Sequence, residues 1–294
     1  MMTEIKKSPE LLLKLKSMSP NANTVQAKIC DFMITHFFEL DDMALAELAS
    51  KSGVSEASVS RYVKTLGYKN YREFQVDVLL SCNQKVARQP ENNSYEAAMQ
   101  VEGTKELISQ VFRANIQCLM DTQAIVQSNK LEMVAKKIVH NRALLIFAQG
   151  RSKVTADSIR LRLYRLNIRC SVYSDPHEQA VTSSLIQPND LVMGISTFGS
   201  STSVLRSCRR AKRNGAYVIA VTSYSDTPLE KIADVLLMTS SSEHGTFGVE
   251  PSTTSVSQQV LLDCLYLLIY KSLSEEAKKC LQKSKNAIDE ERSN

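Results

Sequence analysis

Two short segments of the sequence combine hydroxyl side chains with glycine in a way that suits an anionic ligand. Residues 149–153 read Gln-Gly-Arg-Ser-Lys, and residues 196–202 read Ser-Thr-Phe-Gly-Ser-Ser-Thr. Each segment follows a short apolar run and opens a segment of helical periodicity. Free backbone N–H groups and the helix dipole converge at such a helix start and bind a phosphate dianion well. The sequence therefore predicts a phosphate site with these candidates: Gly150, Ser152, Ser196, Gly199, Ser200 and Ser201.

Two further residues are candidates for contacts with the rest of such a ligand. His177 lies in the polar segment 174–179 after another apolar run, and Glu250 lies in the Gly- and Ser-rich stretch 245–255, which is predicted to form a lid. A simpler alternative for both is an exposed loop or helix-start residue. Serine also caps helices for structural reasons alone, so one Ser-rich loop is weak evidence, whereas two at separate strand ends are moderately specific.

The segment 44–66 has the spacing of a helix-turn-helix, the helix pair that reads DNA. Leu48 and Val59 fall on the inner faces of two short helices, and Ala49 is small where the helices would touch. Gly53 can adopt the positive φ that a tight turn between them often requires. The alternative is an antiparallel helix pair inside a helical bundle, whose charged side chains are merely solvated.

The outer face of the second helix supplies the candidates for DNA contacts. Ser55 is predicted to cap this helix, with Ser58 rather than a glutamate at the capping-box position. In this docking geometry the amino-terminal half of the second helix meets base edges, and flanking cations reach phosphates. The predicted DNA-binding residues are Ser55 on the outer face, Glu56, Ala57, Ser60 and Arg61 at base edges, and Lys64, Lys69 and Arg72 at phosphates.

The second half of the chain alternates between strand-like and helix-like segments. Five short apolar runs without polar alternation are typical of strands buried on both faces, so they predict a parallel, doubly wound sheet. Ligands of such sheets bind at the carboxyl ends of the strands, where the strand order reverses. The predicted strands are 143–148, 168–173, 191–195, 217–221 and 234–238.

The predicted organisation is a helix-turn-helix domain at 1–82, a linker at 83–94 and a ligand-binding α/β domain with leading helices at 95–294. The leading helices, within 95–141, are expected to pack on the second domain or on a partner chain. Their predicted buried residues are Val111, Ile116, Leu119, Met120, Ile125, Leu131, Val134 and Ile138.

Composition limits the class of protein. The 294 residues suit two domains, and no apolar stretch approaches the roughly 20 residues of a membrane span. Seven cysteines without a Cys-x-x-Cys pair indicate reduced thiols in a cytosol, so we expect a cytoplasmic protein with no metal and no cofactor. The net charge is only +5, and basic and acidic residues nearly balance over 1–85. Tight DNA binding is therefore expected to need two copies acting together.

The sequence also resembles a known family. The stretches IFAQGRSKVTAD, SDPHEQA, QPNDLVMGISTFGSSTSVL and AKRNGAYVIAVTSYSDTPLEKIADVLL resemble a sugar isomerase (SIS) domain. Together with the predicted helix-turn-helix, the chain from about residue 10 to 272 resembles the RpiR family of bacterial regulators. This resemblance implies a flavodoxin-like α/β sandwich that binds a sugar phosphate in a homodimer or homotetramer. It also implies that Ser152, Ser196 and Ser201 contact the phosphate.

The chain departs from the family pattern at identifiable positions. The first loop of the family usually reads Gly-x-Gly-x-Ser, and here Ala148 replaces the first glycine. The second usually reads Ser-x-Ser-Gly-x-Thr, and here Phe198 replaces the middle serine and Ser201 the threonine. Where members often carry Ser-Arg at the start of the last long helix, this chain has Thr254 and Ser255. Phe198 removes one hydroxyl from the predicted pocket, which is expected to change how a phosphate binds and to favour a different ligand.

These observations leave two classes of function. The favoured one is a non-enzymatic regulator of carbohydrate metabolism, whose binding to an operator in double-stranded DNA depends on a sugar-phosphate effector. The alternative is an aldose-ketose sugar-phosphate isomerase, which needs a base to move a proton between adjacent carbons. The residues that are able to supply this base are His177, Glu178, Glu243, His244 and Glu250. The helix-turn-helix favours the regulator, because an isomerase has no use for it.

Overall fold

The computed structural model describes residues 10–18, 24–40, 42–83, 98–141, 143–241 and 253–292. The chain divides into two compact units, Met1–Ile125 with Ser240–Ser252 and Val126–Thr239 with Thr253–Asn294. The predicted linker 83–94 lies outside the described residues except for Asn83, which ends a helix. Within the described ranges, no helix has the length and apolar character needed to cross a membrane.

The described part of the first unit is helical. Its helices enclose a hydrophobic core that includes Ile29, Met33, Leu48, Val59 and Phe74, all fully buried. The helices are α1 (Glu10–Met18), α2 (Thr24–Thr35), α3 (Leu45–Ser52), α4 (Glu56–Thr65), α5 (Tyr71–Asn83) and α6 (Thr104–Ile125), with a 3-10 turn at Phe37–Glu39 between α2 and α3.

Helices α3 and α4 form the predicted helix-turn-helix. Gly53 ends α3 with φ of +66°, the left-handed conformation that glycine adopts without a steric penalty. Ser55 caps α4, since its hydroxyl accepts a hydrogen bond from the Ser58 N–H at 3.3 Å. Leu48 and Val59 are fully buried, so the predicted inner faces are confirmed.

The predicted burial along α6 is wrong for Ile116 and Met120, which are exposed. The sequence interleaves two stripes with four-residue spacing, and the inward stripe holds small or polar residues, namely Gln110, Ala114, Cys118 and Thr122. Two members of this stripe bond to a neighbouring segment. The Cys118 thiol donates to the Ser240 carbonyl at 3.3 Å, and the Thr122 hydroxyl accepts from the Ser240 N–H at 2.9 Å. The bulky apolar stripe therefore faces outward.

The second unit is a parallel α/β domain. All five strands lie where the sequence predicts them, and every neighbouring pair is parallel in the order β2-β1-β3-β4-β5. In chain order the elements are α7 (Ser128–His140), β1 (Leu144–Ala148), α8 (Arg151–Leu163), β2 (Cys170–Tyr173), α9 (Pro176–Ser184), β3 (Leu191–Ile195), α10 (Thr202–Arg213), β4 (Tyr217–Thr222), β5 (Val235–Met238), α11 (Thr253–Ser272) and α12 (Glu275–Arg292). A 3-10 turn, Tyr164–Leu166, follows α8.

Helices cover both faces of this sheet, which confirms the predicted fold class. Along β1, Ile146 faces a core formed with α7, α8 and α11, whereas Phe147 faces a core formed with α10. Strand β1 lies between β2 and β3, so the strand order reverses between β1 and β3. This reversal is the position where doubly wound sheets bind ligands. Ala148 pairs with Ile195 at the carboxyl ends, so the two Ser-rich loops start side by side.

Candidate functional site

The two predicted phosphate loops are joined by hydrogen bonds. Gln149, the first residue after β1, accepts at its side-chain Oε1 from the Ser201 hydroxyl at 2.9 Å and from the Ser203 hydroxyl at 2.5 Å. The Gln149 amide nitrogen donates to the Ser174 carbonyl, after β2, at 3.3 Å. Sequence reasoning did not select Gln149 or Ser203, because their proximity depends on β1 and β3 being neighbours.

The candidate serines occupy different environments within this site. Ser152 lies in the first turn of α8 and Ser196 directly follows β3, and both are buried. Ser201 is half-buried at the start of α10, whereas Ser200 is exposed. The Ser196 N–H donates to the Val221 carbonyl at 3.1 Å, which holds the start of the second loop on β4.

The second loop is also packed against the segment after β4. Gly199 has φ of +59°, and a Cβ atom there would lie only 2.4 Å from Thr227 Cβ, so the position requires glycine. Phe198, where the family has serine, stacks on the ring of Tyr224 with centroids 5.2 Å apart and planes 10° from parallel. The replacement of serine by Phe198 thus adds an aromatic contact that orders the loop, besides removing a hydroxyl.

A cation at the first loop is already paired. Lys153, next to Ser152, forms an ion pair with Asp157 one turn further along α8. This hydrogen bond from Lys153, with a second from Arg160, outweighs partial burial and lowers the pKa of the Asp157 carboxyl. Asp157 is therefore ionised at neutral pH and neutralises part of the positive charge that Lys153 brings to the loop.

Of the two remaining ligand candidates, the structure describes only His177. His177 lies on the exposed first turn of α9, where its backbone N–H donates to the Asp175 carboxylate at 2.8 Å. A fully buried side chain of this helix is that of Gln179, whose amide nitrogen donates to the Tyr173 carbonyl at 2.9 Å. Glu250, together with Glu243 and His244, lies outside the described residues.

In the first unit, the predicted DNA-binding residues are all exposed or half-exposed. Glu56, Ala57 and Arg61 are exposed on α4, and the Arg61 Nε donates to the Ala57 carbonyl at 3.3 Å. The remaining exposed or half-exposed candidates are Ser55, Ser60, Lys64, Lys69 and Arg72.

Four of these residues line a groove of about 520 Å³ between α4 and the start of α5. The groove brings together a hydroxyl and three cations from α4, from the loop before α5 and from α5 itself, namely Ser60, Lys64, Lys69 and Arg72. Asn70 caps α5 by accepting from the Glu73 N–H at 2.9 Å, so the groove also faces the amino terminus of a helix. These features suit a backbone phosphate.

A buried tyrosine fixes α5 in this position. The Tyr71 hydroxyl donates to the Met43 carbonyl, between α2 and α3, at 2.9 Å. Burial raises the pKa of Tyr71 to about 12, because the charged phenolate is poorly solvated there. The hydroxyl keeps its proton at neutral pH, so the bond that positions the groove persists across the physiological range.

The chain has a helix-turn-helix with a cationic groove in one unit, and a doubly wound sheet with Ser-rich loops at its reversal point in the other. These features define a class of protein, the DNA-binding regulators with a ligand-binding α/β domain. Family models agree with this class in both halves. Residues 9–85 match the helix-turn-helix domain of the rpiR family, and residues 137–268 match the SIS domain. The chain belongs to the RpiR family of HTH-type transcriptional regulators.

Two relatives of similar length are named HTH-type transcriptional regulators. The chain is 23% identical to the HTH-type transcriptional regulator RpiR of Escherichia coli K12, over 96% of this chain and 92% of that protein. It is 24% identical to an HTH-type transcriptional regulator of Caldanaerobacter subterraneus, over 95% and 97% of the two chains. The NanR protein of Vibrio vulnificus, solved with ManNAc-6P, superimposes with a TM-score of 0.59 at 20% identity, covering 97% of this chain and all of NanR.

Proposed function

We propose that this regulator changes its affinity for an operator when a sugar phosphate binds the loops that follow β1 and β3. The proposal rests on one observation. Two hydroxyl-bearing loops lie side by side where the strand order of the sheet reverses, and Gln149 joins them by hydrogen bonds. The buried Ser152 and Ser196 supply the phosphate contacts in this proposal, with Gly150, Gly199, Ser200 and Ser201 around them. The complex of NanR with ManNAc-6P supports a sugar-phosphate ligand.

The proposed DNA contacts follow the surface of the first unit. Glu56, Ala57, Ser60 and Arg61 meet base edges, and the groove with Lys64, Lys69 and Arg72 holds a backbone phosphate. The protein acts in the cytoplasm on genes of carbohydrate metabolism. It does not act as an isomerase in this proposal, and the naming of its relatives as transcriptional regulators supports that choice.

We further propose that two or more copies assemble through the outward face of α6. Large apolar side chains recur there every fourth residue over three turns, and all are exposed: Ile108, Phe112, Ile116 and Met120. A contiguous apolar face of this kind is typical of an interface between proteins. In this proposal a second copy of the chain covers the apolar face. A nearly neutral DNA-binding unit binds DNA weakly by itself, and two such units on one operator bind much more tightly.

A thermal-stability titration tests the ligand. A sugar phosphate that binds the folded state at 100 times its dissociation constant is expected to add about 2.7 kcal/mol of stability, whereas the unphosphorylated sugar adds none. The probes are ManNAc-6P, glucose 6-phosphate and ribose 5-phosphate, each beside its free sugar. Equal stabilisation by a free sugar and its phosphate would show that the Ser-rich loops are only helix caps.

A further inference from the structure

The side-chain amide of Gln149 connects the carboxyl ends of three neighbouring strands. It starts from the end of β1, accepts from Ser201 and Ser203 after β3, and donates to the Ser174 carbonyl after β2. The lengths of the two hydroxyl bonds, 2.9 and 2.5 Å, are those of well-formed hydrogen bonds. Gln149 is thus the hydrogen-bond acceptor for the Ser201 hydroxyl of the proposed phosphate site and for the neighbouring Ser203 hydroxyl.

A serine hydroxyl has a single proton to donate, whereas a phosphate dianion binds chiefly as an acceptor. Ser201 and Ser203 direct their protons at Gln149 Oε1, so neither is able to donate to a phosphate at the same time. A phosphate that is bound by these hydroxyls must therefore replace the Gln149 oxygen. The charged phosphate is the stronger acceptor, which drives this exchange forward.

We propose that Gln149 competes with the ligand for Ser201 and Ser203 and thereby sets the effector affinity. This role rests on the proposed sugar-phosphate function. When the phosphate takes the two hydroxyls, the Gln149 side chain turns away and its bond to the Ser174 carbonyl breaks. Helix α9 begins two residues after Ser174. When a phosphate occupies the site, the loss of the bond to Ser174 therefore loosens the connection between β2 and α9.

Two substitutions of similar size separate competition from a simple structural role. Gln149→Met removes the acceptor and leaves both hydroxyls available, so the affinity of this variant for a sugar phosphate is expected to be about tenfold higher than that of the natural protein. Gln149→Glu keeps the acceptor but adds a negative charge beside the phosphate, so its affinity is expected to fall more than tenfold. Calorimetry with ManNAc-6P, glucose 6-phosphate and ribose 5-phosphate measures both changes.

The control is Gln187→Met, an exposed glutamine between α9 and β3, which is expected to leave the affinity unchanged. Hydrogen exchange supplies a second readout. The amides of Ser174, Asp175, His177 and Glu178 are expected to exchange faster when the sugar phosphate binds the natural protein, and equally fast in Gln149→Met without it.

The outcomes separate this role from the function on which it rests. Weaker or unchanged binding by Gln149→Met, with normal binding by the natural protein, overturns the competition and leaves the sugar-phosphate site standing. If neither the natural protein nor Gln149→Met binds any probe, Ser201 and Ser203 are not an anion site, and both proposals are rejected. Binding by Gln149→Met alone supports the competition.

Discussion

Replacing Lys69 and Arg72 together by alanine is expected to weaken binding to every DNA duplex, on the order of a hundredfold to a thousandfold at physiological salt. Both cations line the groove beside Lys64 at the start of α5, where a backbone phosphate is proposed to bind. A dimer loses four phosphate contacts, so the slope of log affinity against log salt is expected to fall by roughly 0.9 for each contact. Fluorescence anisotropy at several salt concentrations measures both quantities, with duplexes that the protein selects from a random pool.

Arg61→Ala provides the contrasting result, because Arg61 is proposed to meet a base edge. It is expected to cost about 1 to 3 kcal/mol on the selected duplex and to relax the preference at one base pair, with little change on unrelated duplexes. Lys51→Ala is the control, since Lys51 lies on α3 in an ion pair with Glu47. The groove assignment is wrong if Lys69 and Arg72 can be removed without a change in salt dependence.

Placing aspartate at both Phe112 and Ile116 is expected to dissociate the assembly. These side chains are 66% and 54% exposed on the outward face of α6, and complete burial of such a residue contributes about 1.5 to 3 kcal/mol. A two-fold interface buries each of them twice, so the dissociation constant is expected to rise at least a thousandfold, and a buried aspartate adds a desolvation cost. Light scattering measures the mass, and affinity for a two-fold operator is expected to fall with it.

The matched control for this assembly is Val181→Asp on α9. Val181 is 59% exposed, close to the exposure of Phe112 and Ile116, but it lies outside the α6 face. It is expected to leave the mass unchanged. An unchanged mass for the α6 variant, or a monomer that binds its operator as tightly as the natural protein, would assign the assembly to another surface.

Much of the fold is predictable, because the residues that determine each strand, turn and cap are close together in the sequence. Short apolar runs identify the five strands, although β2 is less apolar than the others, and the helical segments between the first four strands indicate parallel crossovers. Gly53 and Ser55 identify the turn and cap of the helix-turn-helix for the same reason. Each of these features depends on residues that are close in sequence.

Features that depend on contacts between distant segments were not predictable. Along α6, both stripes have helical spacing, and the hydrogen bonds between Ser240 and the side chains of Cys118 and Thr122 identify the one that faces inward. The role of Gln149 depends on β1 lying beside β3. The sequence shows that Phe198 lacks the hydroxyl of serine, but the stacking of Phe198 on Tyr224 depends on how the loops after β3 and β4 meet.

The most direct test of the account is operator affinity measured with and without a sugar phosphate that binds the protein. Operator affinity is expected to change at least tenfold with the phosphate and to stay the same with the corresponding free sugar. Ser152→Ala and Ser196→Ala are expected to blunt this change, since each hydrogen bond to a charged phosphate is worth about 1.5 to 3 kcal/mol, while DNA binding without effector stays intact. An operator affinity that is the same with every bound sugar phosphate, or a full response from both serine variants, would contradict it.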